Sequence, residues 1–147
     1  MRLDLYQAET ALIAKQQTAL LDEAGERLLT GSSPLSRLEQ NGVLHAMQLL
    51  VENAVGKAKH LLKAHQKPVP VSAYDCFVAL IELGVVAEQD LPAWNAAIGL
   101  RNKIVHDYMN IDMARVMELV RLGHYRFITM FLLEPITIGD DTCHRAE

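Results

Sequence analysis

The stretch LSRLEQNGVLHAMQLLVENAVGKAKHLLKAHQ, residues 35–66, decides the fold class. It opens with Ser36 and Glu39, which have the spacing of a helix capping box. The segment TGSSP, residues 30–34, precedes it, and the prolines of KPVPVS, residues 67–72, break the pattern that follows. We therefore predict one long helix between these two breaks.

Four other segments carry helical patterns. They span residues 3–29, 73–83, 91–108 and 113–133. Ser72 and Asp112 stand at N-cap positions, and Gly84 follows the third helix, where a glycine commonly ends one. Asp90 is a candidate N-cap of the fourth helix, with Pro92 in its first turn. The prolines of PVPV disqualify it as a strand.

These patterns predict an all-α fold, an antiparallel bundle of about five helices of which two are long. A chain of 147 residues is long enough for one hydrophobic core. We expect a single helical domain over residues 1–134, followed by a flexible C-terminal tail over residues 135–147.

The composition excludes several classes of protein. A formal net charge of −4 argues against a general nucleic-acid coat, so a nucleic-acid site has to be local. Cys76 and Cys143 match no zinc spacing and suit reduced thiols. The N-terminus lacks a signal-peptide pattern, and the apolar run at residues 127–133 is too short for a bilayer. We expect a soluble cytoplasmic protein without membrane contact.

The segment RNKIVHDY, residues 101–108, concentrates chemistry-bearing side chains at the end of the predicted fourth helix. An α-helix turns by about 100° per residue, and this projection gives one largely apolar stripe, which is expected to face the core. That stripe contains Trp94, Ala97, Ile98, Arg101, Val105 and Tyr108. A second stripe is small and polar, so that another backbone or a ligand can approach it closely. It contains Asn95, Gly99, Asn102 and His106.

Arg101 and His106 are five residues apart, which separates them by roughly 140° around a regular helix. One regular helix does not bring them onto a single phosphate. They converge if the helix ends near His106, or if two copies of the helix meet across a two-fold axis. The spacing thus indicates a dimer.

The pattern R-x4-H-x-Y, from Arg101 to Tyr108, resembles the signature of HEPN-domain proteins, and specifically of the HepT-like toxins of prokaryotes. Asn102, the polar residue after the arginine, suits HEPN ribonucleases as well. LHAMQLLVENAVGKAKHLL, YDCFVALIELGVV and LRNKIVHDYMNID are similar to successive blocks of that family. The resemblance covers roughly residues 36–133.

The resemblance implies a HEPN-type bundle and a metal-independent endoribonuclease that needs no cofactor. It implies a homodimer in which Arg and His from both chains line a shared cleft. HepT-like toxins are paired with MntA-like nucleotidyltransferase antitoxins, which transfer AMP from ATP to the tyrosine of the motif. That residue is Tyr108 here.

The residue types suit metal-free RNA cleavage, which leaves a 2′,3′-cyclic phosphate. A histidine such as His106 moves protons near neutral pH, and the planar fork of Arg101 fits phosphate oxygens. Asn102 lies one turn before His106 and can orient its ring or contact RNA. Tyr108 can contact RNA, and an AMP placed on it adds bulk and negative charge. Accessible single-stranded RNA is the expected substrate, with tRNA as one candidate.

A weaker signal lies in KAKHLLKAHQK, residues 57–67, which contains no acid. Lys59, His60, Lys63 and Lys67 fall within a helical sector of roughly 100°, and the lysines form a candidate phosphate track. A solvated face, or a helix C-terminus that offsets its dipole, is the favoured alternative. We expect no metal site in DDTCHRAE, residues 140–147.

Each motif residue also has a purely structural explanation. His106 can be a surface histidine, Arg101 can pair with an acid such as Glu52, and Tyr108 can be a core aromatic. Taken together with the flanking blocks, the residues favour a ribonuclease. The alternative is a non-catalytic helical module of HEPN type that binds a nucleotidyltransferase partner.

Overall fold

In the computed structural model, which describes residues 2–31 and 33–137, the chain folds into six α-helices and no strand. They are α1 (Leu3–Thr30), α2 (Arg37–Ala64), α3 (Ala73–Glu82), α4 (Leu91–His106), α5 (Met113–Arg121) and α6 (Arg126–Leu133). The all-α prediction is confirmed, and α1 and α2 are the two long helices, with 28 residues each.

Helix α2 is the centre of the bundle because it packs against α1, α3, α4 and α6. Its start is fixed as predicted: the Ser36 side chain accepts the N–H of Glu39, and the Glu39 carboxylate accepts the N–H of Ser36. One face of α2 is buried from Val43 to Leu62. The helix therefore provides the surface on which the other elements are placed.

An aromatic cluster holds α4 against α3 and α6. The rings of Phe77 and Trp94 stack with centroids 4.2 Å apart, and Trp94 meets Phe131 edge-on at 5.1 Å. Each such ring pair contributes about 0.5–1.5 kcal/mol of stability beyond that of the apolar area it buries. The first half of α4 is thereby fixed in the core.

Lys57 joins α2 to the end of α6. Its side chain is buried, and its ammonium donates to the carbonyls of Phe131 (2.7 Å) and Glu134 (2.5 Å). Burial lowers the pKa of Lys57 to about 8, and the charge of Glu134 opposes this shift. The lysine supplies a donor to carbonyls that a helix end leaves without a helical partner.

The helix boundaries differ from the predictions at two places. The predicted helix over residues 113–133 is divided into α5 and α6, because Gly123 adopts a left-handed φ of 72°. The predicted fourth helix ends at His106 and not at residue 108, because Asp107 leaves the helical region with φ −148° and ψ 45°. The chain then forms a short 3₁₀ turn over Tyr108–Asn110.

The predicted caps are mostly present. Ser72 and Asp112 accept backbone N–H groups at the starts of α3 and α5, and Gly84 follows α3 with a φ of 78°. Asp90 occupies the N-cap position of α4 as predicted, but its side chain makes no cap hydrogen bond. The predicted tail is described only as far as residue 137, and residues 138–147, with Cys143, lie outside the described residues. No helix of the described ranges combines the length and apolar character needed to cross a bilayer.

Candidate active site

The R-x4-H-x-Y residues straddle the end of α4. Arg101 and Asn102 lie within the helix, His106 is its last residue, and Tyr108 begins the 3₁₀ turn that follows. The backbone stays helical from Arg101 to His106, so the expected angular separation of roughly 140° between these two positions applies.

The Arg101 guanidinium is held by α2. Its Nε and Nη2 atoms donate to the same oxygen of Glu52, at 3.0 and 2.8 Å, and Nη1 donates to Asn102 at 3.3 Å. Gln48 donates to that Glu52 oxygen as well, at 3.2 Å. These contacts fix the plane of the guanidinium and leave one N–H on Nη1 and one on Nη2 for a further acceptor.

Arg101 and Glu52 form the ion pair that the purely structural explanation of Arg101 predicts. Their side chains remain 30% and 35% exposed. A half-exposed pair of this kind contributes at most about 1 kcal/mol to folding stability. The pair orients the arginine without removing it from solvent.

A groove of about 670 Å³ opens beside Arg101, between α2, α3 and α4. Its lining includes two cations, Arg101 and Lys59, and one carboxylate, Glu52. Asn102 and Tyr74 form part of the same wall. In a chain with a formal net charge of −4, this is a local site with a surplus of positive charge.

His106 is exposed and is not part of the groove lining. The structure brings together Arg101 and Asn102, but it does not place His106 in the same groove. An exposed imidazole at a helix end is free to contact a ligand or a second chain. In a single copy of the chain, His106 therefore lies outside the groove that Arg101 lines.

The expectation that the whole apolar stripe of α4 faces the core was wrong for its last turn. Trp94, Ala97 and Ile98 are buried, but Val105 is 42% exposed and Tyr108 43%. The last turn of α4 extends past the part of the helix that lies in the core. Val105 therefore faces solvent beside His106.

Tyr108 is not a core aromatic. Its hydroxyl donates to the side-chain oxygen of Asn41, which lies near the start of α2. Met109, the next residue, is 90% exposed. The tyrosine is thereby held at the surface with its ring half exposed, and it is accessible to another macromolecule.

The three candidate lysines do not share one environment. Lys59 lines the groove beside Arg101, and Lys63 is exposed one turn further along α2. Lys67 was misplaced by the helical projection, because α2 ends at Ala64 and Lys67 lies in the following turn, beside Pro68. His60, from the same acid-free segment, stacks on Tyr6 at 3.9 Å and so packs towards α1.

Sequence reasoning missed two residues of this region, Tyr74 and Asn41. Both are brought to the motif by tertiary packing, and no local spacing marks them.

Within residues 2–31 and 33–137, no group of three or more His, Cys, Asp and Glu side chains is arranged to hold a metal ion. The segment DDTCHRAE lies outside this range.

The described part of the chain is an all-α bundle of HEPN type. Residues 15–132 match the family described as Ribonuclease HepT-like, and the chain belongs to this family. The resemblance found in the motif and its flanking blocks is thereby confirmed.

Individual relatives agree with this assignment. The chain is 27% identical over 82 residues to the mRNA nuclease HepT of Shewanella oneidensis. The aligned stretch covers 56% of this chain and 62% of that relative. A tri-AMPylated HEPN toxin of the same organism, solved in complex with an MNT antitoxin, superimposes with a TM-score of 0.74 at 19% identity, covering 97% of this chain and 98% of that one. A toxin–antitoxin structure with AMP-PNP gives a TM-score of 0.71 at 18% identity, covering 86% and 97%. At these identities the structural likeness establishes the fold.

Proposed function

We propose that this protein is a metal-independent endoribonuclease toxin of a toxin–antitoxin system, acting in the cytoplasm. Membership of the HepT-like family supports the activity, and the relative named as an mRNA nuclease indicates the substrate class. The observation that carries the proposal is the state of the motif itself: Arg101 is oriented but half exposed, and His106 and Tyr108 are both accessible.

The chemistry follows from the side chains. His106 accepts the proton of an RNA 2′-hydroxyl, and that oxygen attacks the adjacent phosphorus. Arg101 donates its two remaining N–H groups to the phosphoryl oxygens, where negative charge increases in the transition state. The bond from phosphorus to the 5′-oxygen breaks, the 5′-oxygen takes a proton from solvent, and His106 returns its own proton to solvent. The products are a 2′,3′-cyclic phosphate and a 5′-hydroxyl.

The proposed active unit is a homodimer in which Arg101 of one copy and His106 of the other act on the same phosphate. Two observations support this arrangement. The two residues face different directions on α4, and His106 is flanked by apolar side chains, Val105 and Met109, that are exposed in one copy. A second copy that packs against this end of α4 would cover both side chains.

The direct test is cleavage of RNA by the purified protein in excess EDTA. We expect the wild type to cleave with undiminished rate and Arg101→Lys to lose most of its activity, about 10-fold or more, because an ammonium cannot make two parallel contacts with a phosphate. Lys63→Arg, on the exposed face of α2, is the matched control. A wild type that EDTA inactivates would contradict metal independence, and a fully active Arg101→Lys would remove the assigned role of the arginine.

We further propose that a nucleotidyltransferase antitoxin of MntA type neutralises the toxin by adenylylating Tyr108. The phenol oxygen attacks the α-phosphorus of ATP, forms a Tyr–AMP ester and releases pyrophosphate. The exposed position of Tyr108 supports this, as does the AMPylated state of the toxin in the similar complex. The added phosphate repels the phosphates of an RNA that binds near Tyr108.

Incubation of the wild type with its nucleotidyltransferase and ATP is expected to add the mass of at least one AMP and to abolish cleavage. Tyr108→Phe should gain no mass and should continue to cleave RNA in the presence of the antitoxin and ATP. Tyr74→Phe, which removes the hydroxyl of another exposed tyrosine, is the control and should be modified normally. AMP found on Tyr108→Phe would place the modification elsewhere.

The second candidate function is a non-catalytic module that binds a nucleotidyltransferase. The Arg101–Glu52 ion pair favours it, because the arginine already has a structural partner. This alternative predicts that neither the wild type nor any motif variant cleaves RNA. The EDTA assay therefore distinguishes the two functions.

A further inference from the structure

We propose that the groove beside Arg101 binds the RNA nucleotide next to the scissile phosphate, with its base stacked on Tyr74 and its outer phosphate bound by Lys59. This inference rests on the proposed ribonuclease function and assigns the subsite that the substrate occupies. The volume of about 670 Å³ lies within the range of roughly 300–1,000 Å³ that is usual for sites of this kind.

The base-binding role follows from the environment of Tyr74. Its side chain lies in the first turn of α3, lines the groove and is 38% exposed. Its hydroxyl reaches α4 at Gly99, 3.8 Å from the position that a Cβ would occupy there. The hydroxyl is thus placed against the helix that carries the motif, while part of the side chain remains open to a ligand.

Tyr74 differs from the other tyrosines because its partly exposed side chain lines the groove beside Arg101. Tyr6 stacks on His60, Tyr125 is buried with its hydroxyl on Asp22, and Tyr108 belongs to the motif. An accessible aromatic ring in a nucleic-acid groove is a platform for a base, and each stacked base contributes about 1–3 kcal/mol.

The phosphate-binding role follows from charge. Lys59 and Arg101 lie in the lining of one groove, and Glu52 neutralises one of the two charges. The start of α3 lines the same groove, and its first N–H groups, on Ala73 and Tyr74, have no acceptor within the helix. A cation beside a helix N-terminus attracts an anion such as a phosphate. The groove therefore offers two cationic contacts for phosphates, Arg101 and Lys59, beside the aromatic side chain of Tyr74.

The experiment measures binding and cleavage separately. A fluorescent 2′-O-methyl RNA, which has no free 2′-hydroxyl and cannot be cleaved, is titrated with the wild type at several salt concentrations. Tyr74→Ala is expected to weaken binding by about 10-fold, and Tyr74→Phe to bind within about 2-fold of the wild type because it keeps the ring. Lys59→Ala should weaken binding and reduce the slope of log affinity against log salt by about one.

Lys63→Ala, one turn further along α2 and outside the groove lining, is the matched control and should affect binding less than Lys59→Ala. Wild-type affinity in Tyr74→Ala, or equal effects of the two lysine variants, overturns the groove proposal. If the wild type binds in this pattern but cleaves no natural RNA, the groove stands and the ribonuclease function fails. If the wild type cleaves RNA and Tyr74→Ala changes neither binding nor KM, the ribonuclease stands and the groove fails.

Discussion

His106→Ala is expected to reduce RNA cleavage by about 10²–10⁴-fold while leaving the fold intact. The size of the loss follows from the role of the imidazole as the group that accepts the 2′-hydroxyl proton. The intact fold follows from its position, because His106 is exposed at the last residue of α4 and contributes little to the core. Initial cleavage rates and the thermal unfolding temperature of the same preparation test both parts.

His124→Ala is the matched control, since His124 is also exposed but lies in the turn between α5 and α6. It should cleave RNA at close to the wild-type rate. An active His106→Ala would remove the proposed base. A loss of several degrees in unfolding temperature with His106→Ala would show that the histidine stabilises the fold, and the loss of activity could then not be assigned to proton transfer.

The elements that sequence predicts well here are those governed by local chemistry. The Ser36 capping box, the Ser72 and Asp112 caps and the Gly84 terminator each depend on contacts within about four residues. The division of α5 from α6 depends on Gly123, which a helix also tolerates at a modest cost. The presence of Gly123 in the sequence therefore does not decide between a continuous helix and two helices.

The spacing of the motif residues could be seen in the sequence, but their burial and their contacts with distant residues could not. The prediction that Val105 and Tyr108 face the core assumed that the apolar stripe is covered along its whole length. Burial depends on where the neighbouring helices lie, and the last turn of α4 is left exposed. The contact between Tyr108 and Asn41 joins residues 67 positions apart in the sequence, a separation at which periodicity carries no information.

The Arg101–Glu52 contact shows how a structural pair can prepare a binding site. Glu52 accepts from the Nε side of the guanidinium and Asn102 accepts from Nη1, which leaves one N–H on each terminal nitrogen. Arginine binds phosphate through such a pair of terminal donors. The carboxylate thus reduces the number of orientations available to the arginine before RNA binds, which lowers the entropic cost of binding.

Mixed dimers of Arg101→Ala and His106→Ala are expected to recover about half of the wild-type cleavage rate, although each variant alone is nearly inactive. If a site takes its arginine from one copy and its histidine from the other, a mixed dimer contains one complete site and one site that lacks both groups. Co-expression of the two variants with different affinity tags and purification over both tags isolates this species. Its cleavage rate is compared with that of doubly tagged wild type.

A reciprocal pairing provides the control. A wild-type chain paired with an Arg101→Ala, His106→Ala double variant has one defect in each shared site, so this dimer should be inactive. If each copy instead uses its own arginine and histidine, the outcomes are exchanged: the first mixed dimer is inactive and the second keeps half of its activity. If purification over both tags recovers no protein, the chain does not form the homodimer, and the shared site is excluded. The roughly 140° between the two residues on α4 favours the first outcome, because the backbone of a single helix carries the two side chains away from each other.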